Sequence, residues 1–161
     1  MRAVGVDLGQ RRIGIAVSDS AGITAVPHAT LPRSGGGPDA DHRALAAVVG
    51  ELAAECVVVG LPLSLDGSRG SAARIVEAEA AALGAVLPVP VELVDERFTT
   101  VTANRSLAGG GVRGRARRHK VDEVAATVLL QTWLDGQRRA AAHGVQATQA
   151  GVPDEPRSES T

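Results

Sequence analysis

Apolar and polar positions alternate at the start of the chain, in MRAVGVDLGQRRIGIAVSDS. Residues 2 to 8 and 13 to 18 each predict a strand, and GQRR between them predicts a hairpin turn at Gly9 to Arg12. A third short strand follows around ITAVPHATL, where Pro27 requires a sheet edge or a bulge. RSGGGPDA is a loop. The period then changes: Leu45, Val48, Val49 and Leu52 recur at spacings of three and four, predicting a helix over about 39 to 54 with Asp39 or Asp41 as its N-cap. CVVVGLPL is a β-branched run that reads as a strand buried on both faces. After the loop LSLDGSRG, SAARIVEAEAAALG reads as a helix closed by Gly84. PVPVELVDERF is a further strand, and TTVTANRSLAGGG a short helix stopped by glycines. The basic stretch VRGRARRHK reads as a loop. Beyond it Val121, Val124, Ala125, Val128, Leu129 and Trp133 are spaced for a long amphipathic helix.

This order, hairpin strands followed by helix–strand–helix–strand and then helices, predicts an α/β fold with a mixed sheet, because the two later connections require parallel pairing. Ligands in such sheets gather beyond the carboxyl ends of the parallel strands. After about Ala140 the chain is small and polar, so we expect one domain over 1–139 and a disordered tail over 140–161.

Composition narrows the function. The core must be built from Val, Leu, Ile and Ala, since there is one Phe, one Trp and no Tyr, which argues against a base-stacking platform for single strands. A single cysteine, Cys56, excludes an intramolecular disulfide and a multi-cysteine metal site, and reads as a small buried hydrophobe in a reducing cytoplasm. No apolar run is long enough to span a bilayer and no signal peptide is expected, so the protein is expected to be soluble, without a membrane partner. The net charge of −1 hides an uneven distribution. From Arg97 to Lys120 there are seven basic residues and no acid, and Lys120 is the sole lysine.

One residue breaks the opening apolar run. Asp7 is a carboxylate within a strand, and burying it is costly unless it is neutralised. If strands 2–8, 56–61 and 91–96 are parallel, their ends gather Asp7, the GLPLSLDG loop and Asp95–Glu96; Asp122 follows the basic stretch. Carboxylates so placed repel one another unless a divalent cation sits among them, and oxygen donors favour Mg²⁺ or Mn²⁺. Each acid also has an ordinary reading: Asp7 as a turn residue, Asp122 as a first-turn helix acid, Glu96 as the partner of Arg97 or another surface arginine. Asp95 and Glu96 point to opposite faces of an extended strand, so spacing leaves open which one reaches a metal.

V-G-V-D-L-G, V-G-L-P-L-S-L-D-G, V-D-E-R-F-T-T and H-K-V-D-E-V-A-A with a following L-L-Q, in that order over residues 2 to about 138, resemble the YqgF/RuvX family of Holliday-junction-resolvase-like proteins, also described as nucleases of precursor 16S rRNA. The resemblance implies an RNase H-like fold with a five-stranded mixed sheet flanked by helices. It also implies a catalytic, metal-holding triad of Asp7, Glu96 and Asp122, favouring Glu96 over Asp95. The chemistry would be metal-dependent phosphodiester hydrolysis, in which two divalent ions activate water and stabilise the leaving oxygen. Arg97 and Lys120 flank two of the acids and would bind the scissile or adjacent phosphates. Arg113, Arg115, Arg117 and Arg118 would form a flexible arm on the nucleic-acid backbone, joined by Ser68 and Arg69 from the SLDGSRG loop. Asp66–Gly67 in that loop reads equally well as a turn. Phosphate contacts do not distinguish RNA from DNA. Maturation of the precursor 16S rRNA 5′ end therefore ranks first on the family's description alone, followed by resolution of branched DNA, for which a homodimer is suited. Two other classes are an actin-like ATPase or kinase, for whose second domain the chain has no room, and a non-catalytic nucleic-acid-binding module.

Overall fold

The N-terminal hairpin carries side chains of different size on its two faces. Val4, Val6, Leu8, Ile13 and Ile15 enter one apolar cluster, whereas Ala3 and Ala16 enter another, with Gly5 and Gly14 sharing their alternation. In a computed structural model, which describes residues 1–64, 66–97 and 114–149, this asymmetry decides which helices lie on which side of the sheet. The strands are β1 (Ala3–Leu8), β2 (Arg12–Ser18), β3 (Ala25–Pro32), β4 (Cys56–Leu61) and β5 (Val91–Asp95). The helices are α1 (Pro38–Glu51), α2 (Ser71–Val86) and α3 (Gly114–Gln149).

The sheet order is β3-β2-β1-β4-β5. β1 and β2 form the expected antiparallel hairpin, and β1–β4 and β4–β5 are parallel. β3 is an edge strand, and its register against β2 slips between Ile15 and Ala16, which face Ala29 and Pro27. The proline thus sits beside a bulge on an edge, where its missing N–H breaks no central ladder.

On the large-residue face Leu45 and Val49 of α1 and Ala73, Val76, Ala80 and Leu83 of α2 close over Val57, Val59 and Leu61 of β4. On the small-residue face α3 lays Ala126, Leu129, Leu130, Trp133 and Leu134 against Ala3, Ala16, Cys56 and Val58. A Cβ on Gly5 would come within 2.7 Å of Leu130 Cβ, so the close approach of the helix at Leu130 requires a strand position without a side chain. Trp133 donates its indole N–H to Glu92 at 2.9 Å. Cys56 is buried and free, and burial pushes its thiol up to about 11, which suits the role of a small hydrophobe.

Several boundaries differ from expectation. Gly37, not Asp39 or Asp41, is the N-cap of α1, with Pro38 in the first turn, a position that needs no N–H. Gly84 lies inside α2, which ends at Val86 ahead of Pro88. Residues 114–120, read as part of a basic loop, are the first turns of α3, because Ala, Arg and Lys are good helix formers. The same helix crosses the boundary drawn at 139 and continues to Gln149 through an alanine-rich stretch. It is exposed from Gly136 to Gly144. The short helix expected within 99–111 and the tail beyond 149 lie outside the described residues. No helix of the described residues is long and apolar enough to cross a membrane.

Candidate active site

Three carboxylates converge where the parallel strands end. Asp7, one residue before the end of β1, shares the face of Ala3 and Gly5 and pairs with Gly14 of β2. Gly14 lies so close to α3 that a Cβ there would collide with the Asp122 carbonyl oxygen. The absence of that Cβ lets the helix carry Asp122 up to Asp7. Glu96 follows β5, its backbone N–H donating to the Leu61 carbonyl at 3.2 Å. Its carboxylate lies over Gly60 of β4, where a side chain would displace it. Glu96, Asp7, Leu8, Gly9 and Gln10 line one side of a cavity of about 250 Å³ beyond the sheet end.

The acidities record this crowding. Burial, and next the charge of Asp122, push the Asp7 carboxyl up to about 6. Burial first, then Asp7 and Asp95, push Glu96 up to about 7. No described donor is hydrogen-bonded to the Asp7 carboxylate. Asp122 is held by Arg12, whose Nε donates to Oδ2 at 2.6 Å. The neighbouring Asp95 is turned elsewhere: Arg97 donates to it from Nε at 2.7 Å and from its backbone N–H at 3.0 Å, keeping Asp95 below the usual carboxylate range. Of the two adjacent acids, Glu96 is therefore the one that shares the cavity with Asp7.

Among the described residues no three ligating groups are yet close enough to enclose an ion. The donor set nonetheless suits a hard divalent cation: all oxygen, half-buried, mutually repelling, and already drawing one cation, the Arg12 guanidinium, to one member.

The other residues expected at the site are less tightly gathered. Arg97 belongs to Asp95 and lies near Gly67. Arg69 is exposed and pairs with Glu77 at 3.2 Å, and Ser68 is exposed, its N–H donating to Asp66. Asp66–Gly67 forms a turn, with Gly67 at φ +84° donating to the Ser64 carbonyl at 2.7 Å. Lys120 is exposed on α3, two residues before Asp122. Arg115, Arg117 and Arg118 fall on the first turns of α3, though their side chains lie outside the described residues, as does the whole of Arg113.

Two features carried no local signal in the sequence. Arg12 reaches Asp122 across 110 positions. Arg33 donates to the Gly9 carbonyl at 2.9 Å and grips Glu79 of α2 through both terminal nitrogens, while Asp41 and His42 of α1 complete the cluster. It ties the β1–β2 turn, and hence Asp7, to both helices of the opposite face.

An overall fold of this kind occurs in RuvC of Thermus thermophilus, with a TM-score of 0.52 at 15% identity over 86% of this chain and 97% of that one. The fowlpox virus resolvase, solved with its Holliday junction DNA substrate, gives 0.52 at 12% identity over 85% and 99%. The fold is thus the RNase H-like one of the RuvC-like resolvases. Residues 1–136 match the RuvX family, described as Holliday junction resolvase, and the chain belongs to that family. Among its relatives, a Rhodococcus erythropolis protein is 47% identical over 94% of this chain and 87% of its own length. A Mycobacteroides abscessus protein is 48% identical over 89% and 86%. Each carries the name "Putative pre-16S rRNA nuclease".

Proposed function

We propose that this chain is a divalent-metal-dependent endonuclease that hydrolyses phosphodiester bonds in structured nucleic acid, and that its substrate is the 5′ end of precursor 16S rRNA in the cytoplasm. The observation that carries this reading is the convergence of Asp7, Glu96 and Asp122 at the ends of β1, β5 and the start of the packed part of α3. Relatives at 47% and 48% identity named for precursor 16S rRNA support the choice of substrate.

Asp7, Glu96 and Asp122 would hold Mg²⁺ or Mn²⁺, which supplies a water nucleophile at neutral pH and stabilises charge on the leaving oxygen. The chain's own part is rigidity and charge. Gly60 leaves room for the Glu96 carboxylate, Gly14 admits α3, and Arg33 fixes the turn after Asp7, so the acids are held at one end of the sheet. Lys120, which precedes Asp122 by two residues on α3, would bind the substrate backbone together with Arg113, Arg115, Arg117 and Arg118, and Ser68, Arg69 and Arg97 would add further contacts.

A second reading, resolution of four-way DNA junctions by a homodimer, is favoured by the family's description and by the junction complex of the fowlpox enzyme. One experiment separates them. Wild type and Asp7→Asn are offered precursor 16S rRNA and a four-way DNA junction in the same salt, with Mn²⁺, Mg²⁺ or EDTA. Metal-dependent cutting of the RNA that vanishes in the variant is expected. Preference for the junction selects the second reading, and an equally active variant removes Asp7 from the mechanism.

A further inference from the structure

Arg12 donates from Nε to the Asp122 carboxylate at 2.6 Å, a cation placed directly on one of the three acids. It stands at the first position of β2, directly after the turn that follows Asp7, and its side chain is 21% exposed against 16% for Asp122. Only Nε is engaged with the carboxylate; no described residue accepts from its two terminal nitrogens. A guanidinium held by one edge still offers a fork of donors matched to phosphate oxygens. The ion pair also sets a conflict. A divalent cation bound at Asp7, Glu96 and Asp122 would be repelled by a guanidinium on the same carboxylate. An anionic phosphate between the two relieves that repulsion.

We propose that Arg12 serves this site in two states: it is the internal counter-cation of Asp122 while no metal is bound, and it becomes a substrate-phosphate ligand when metal and nucleic acid enter together. The proposal rests on the reading of Asp122 as a metal ligand. Metal and nucleic acid then bind with positive coupling, because each removes an obstacle to the other, and linkage makes the coupling reciprocal. A purely structural arginine, tying the hairpin to α3, produces no such coupling.

The test is calorimetric titration of the full chain with MnCl₂, with and without a phosphorothioate-protected RNA hairpin copying the precursor 16S rRNA 5′ end. Wild type is compared with Arg12→Gln, Arg12→Met and Asp122→Asn. Methionine fills the same space without a donor and keeps the test usable if the glutamine variant does not fold. Without RNA, both Arg12 variants are expected to bind Mn²⁺ about tenfold more tightly than wild type. RNA is expected to tighten Mn²⁺ binding by wild type about tenfold, and by the Arg12 variants much less. Arg12 variants that bind Mn²⁺ no more tightly than wild type without RNA overturn the proposal, provided Asp122→Asn weakens binding. Unchanged Mn²⁺ affinity in Asp122→Asn defeats the ligand assignment itself, a separate failure of the functional reading.

Discussion

Two sets of carboxylates lie near the β1–β2 turn, Glu79 of one lining the same cavity as Asp7 and Glu96 of the other, and the protein treats them oppositely. On the side of α1 and α2, Asp41 accepts a hydrogen bond from the Ser34 N–H and sits 3.5 Å from Arg33, which together hold it below the usual carboxylate range. Burial alone would raise Glu79, but hydrogen bonds and charge from Arg33, then His42, outweigh it and leave it lowered. On the side of α3, Asp7 and Glu96 rise to about 6 and about 7. The two sets differ for two reasons: burial is the first cause that raises Asp7 and Glu96, with acid–acid repulsion next, whereas Asp41 and Glu79 take hydrogen bonds and charge from Ser34, Arg33 and His42 that outweigh it. Carboxylates matched with cations hold elements together; carboxylates raised by burial and by one another's charge at strand ends mark a site suited to an incoming cation.

Breaking the raised set has the largest expected effect on activity. Asp7→Asn should lower metal-dependent cleavage about a thousandfold or more, the equivalent of several kcal/mol of metal-supplied stabilisation, measured in single-turnover cleavage of precursor 16S rRNA. Breaking the matched set acts on stability instead. Glu79→Gln removes the main partner of Arg33, which keeps Asp41 and the Gly9 carbonyl, and urea unfolding should show a loss of about 1–3 kcal/mol, with cleavage at a permissive temperature far less affected than in Asp7→Asn.

Gly60→Ala tests how the first set is accommodated. The new Cβ meets the end of the Glu96 side chain and, at 3.3 Å, Leu129 Cδ2. Overpacking of this kind costs about 1–3 kcal/mol, and displacement of Glu96 should appear as weakened Mn²⁺ binding and slower cleavage. The smallest effect is expected at the exposed end of the comparison. Asp95→Asn breaks a partly solvated pair with Arg97 and should change stability by less than about 1 kcal/mol, read from the same urea curves.

Much of this architecture is legible in the sequence because it is local. The alternation in β1 and β2, the β-branched run of β4 and the three-and-four spacing of α1 and α3 each arise from neighbours packing on one face. Asp7 stood out for the same reason, as a charge in an apolar alternation. Placing Glu96 and Asp122 beside it took the family's motifs as well as the parallel-strand argument. What could not be read depended on contacts distant along the chain. Nothing in R-S-G-G-G marks Arg33 as the hub of α1, α2 and the hairpin turn, and nothing in G-Q-R-R marks which arginine reaches Asp122. The start of α3 was misread because consecutive arginines and a glycine suggest a loop when weighed as charge, although arginine is a good helix former. Likewise, alanine-rich polarity beyond 140 reads as disorder by hydropathy and as helix by propensity.

The opposition between the two sets can be measured in one pair of variants. For Asp7 the carboxyl titrates near 3.8 when unfolded and about 6 when folded, so the folded state keeps the extra proton between those values and its stability falls as pH rises through them. Glu96 behaves alike between 4.5 and about 7. Glu79, being lowered, contributes stability that is present above its unfolded value of 4.5 and is lost as pH falls through its folded value. Urea unfolding of wild type, Asp7→Asn and Glu79→Gln at pH 8 and pH 4, in EDTA, therefore tests the account directly. At pH 8 Asp7→Asn should be more stable than wild type by up to about 3 kcal/mol, and Glu79→Gln less stable, with both differences shrinking toward pH 4. An Asp7→Asn variant destabilised at pH 8 would show that the Asp7 carboxylate already has its partner within the fold, and would contradict the account.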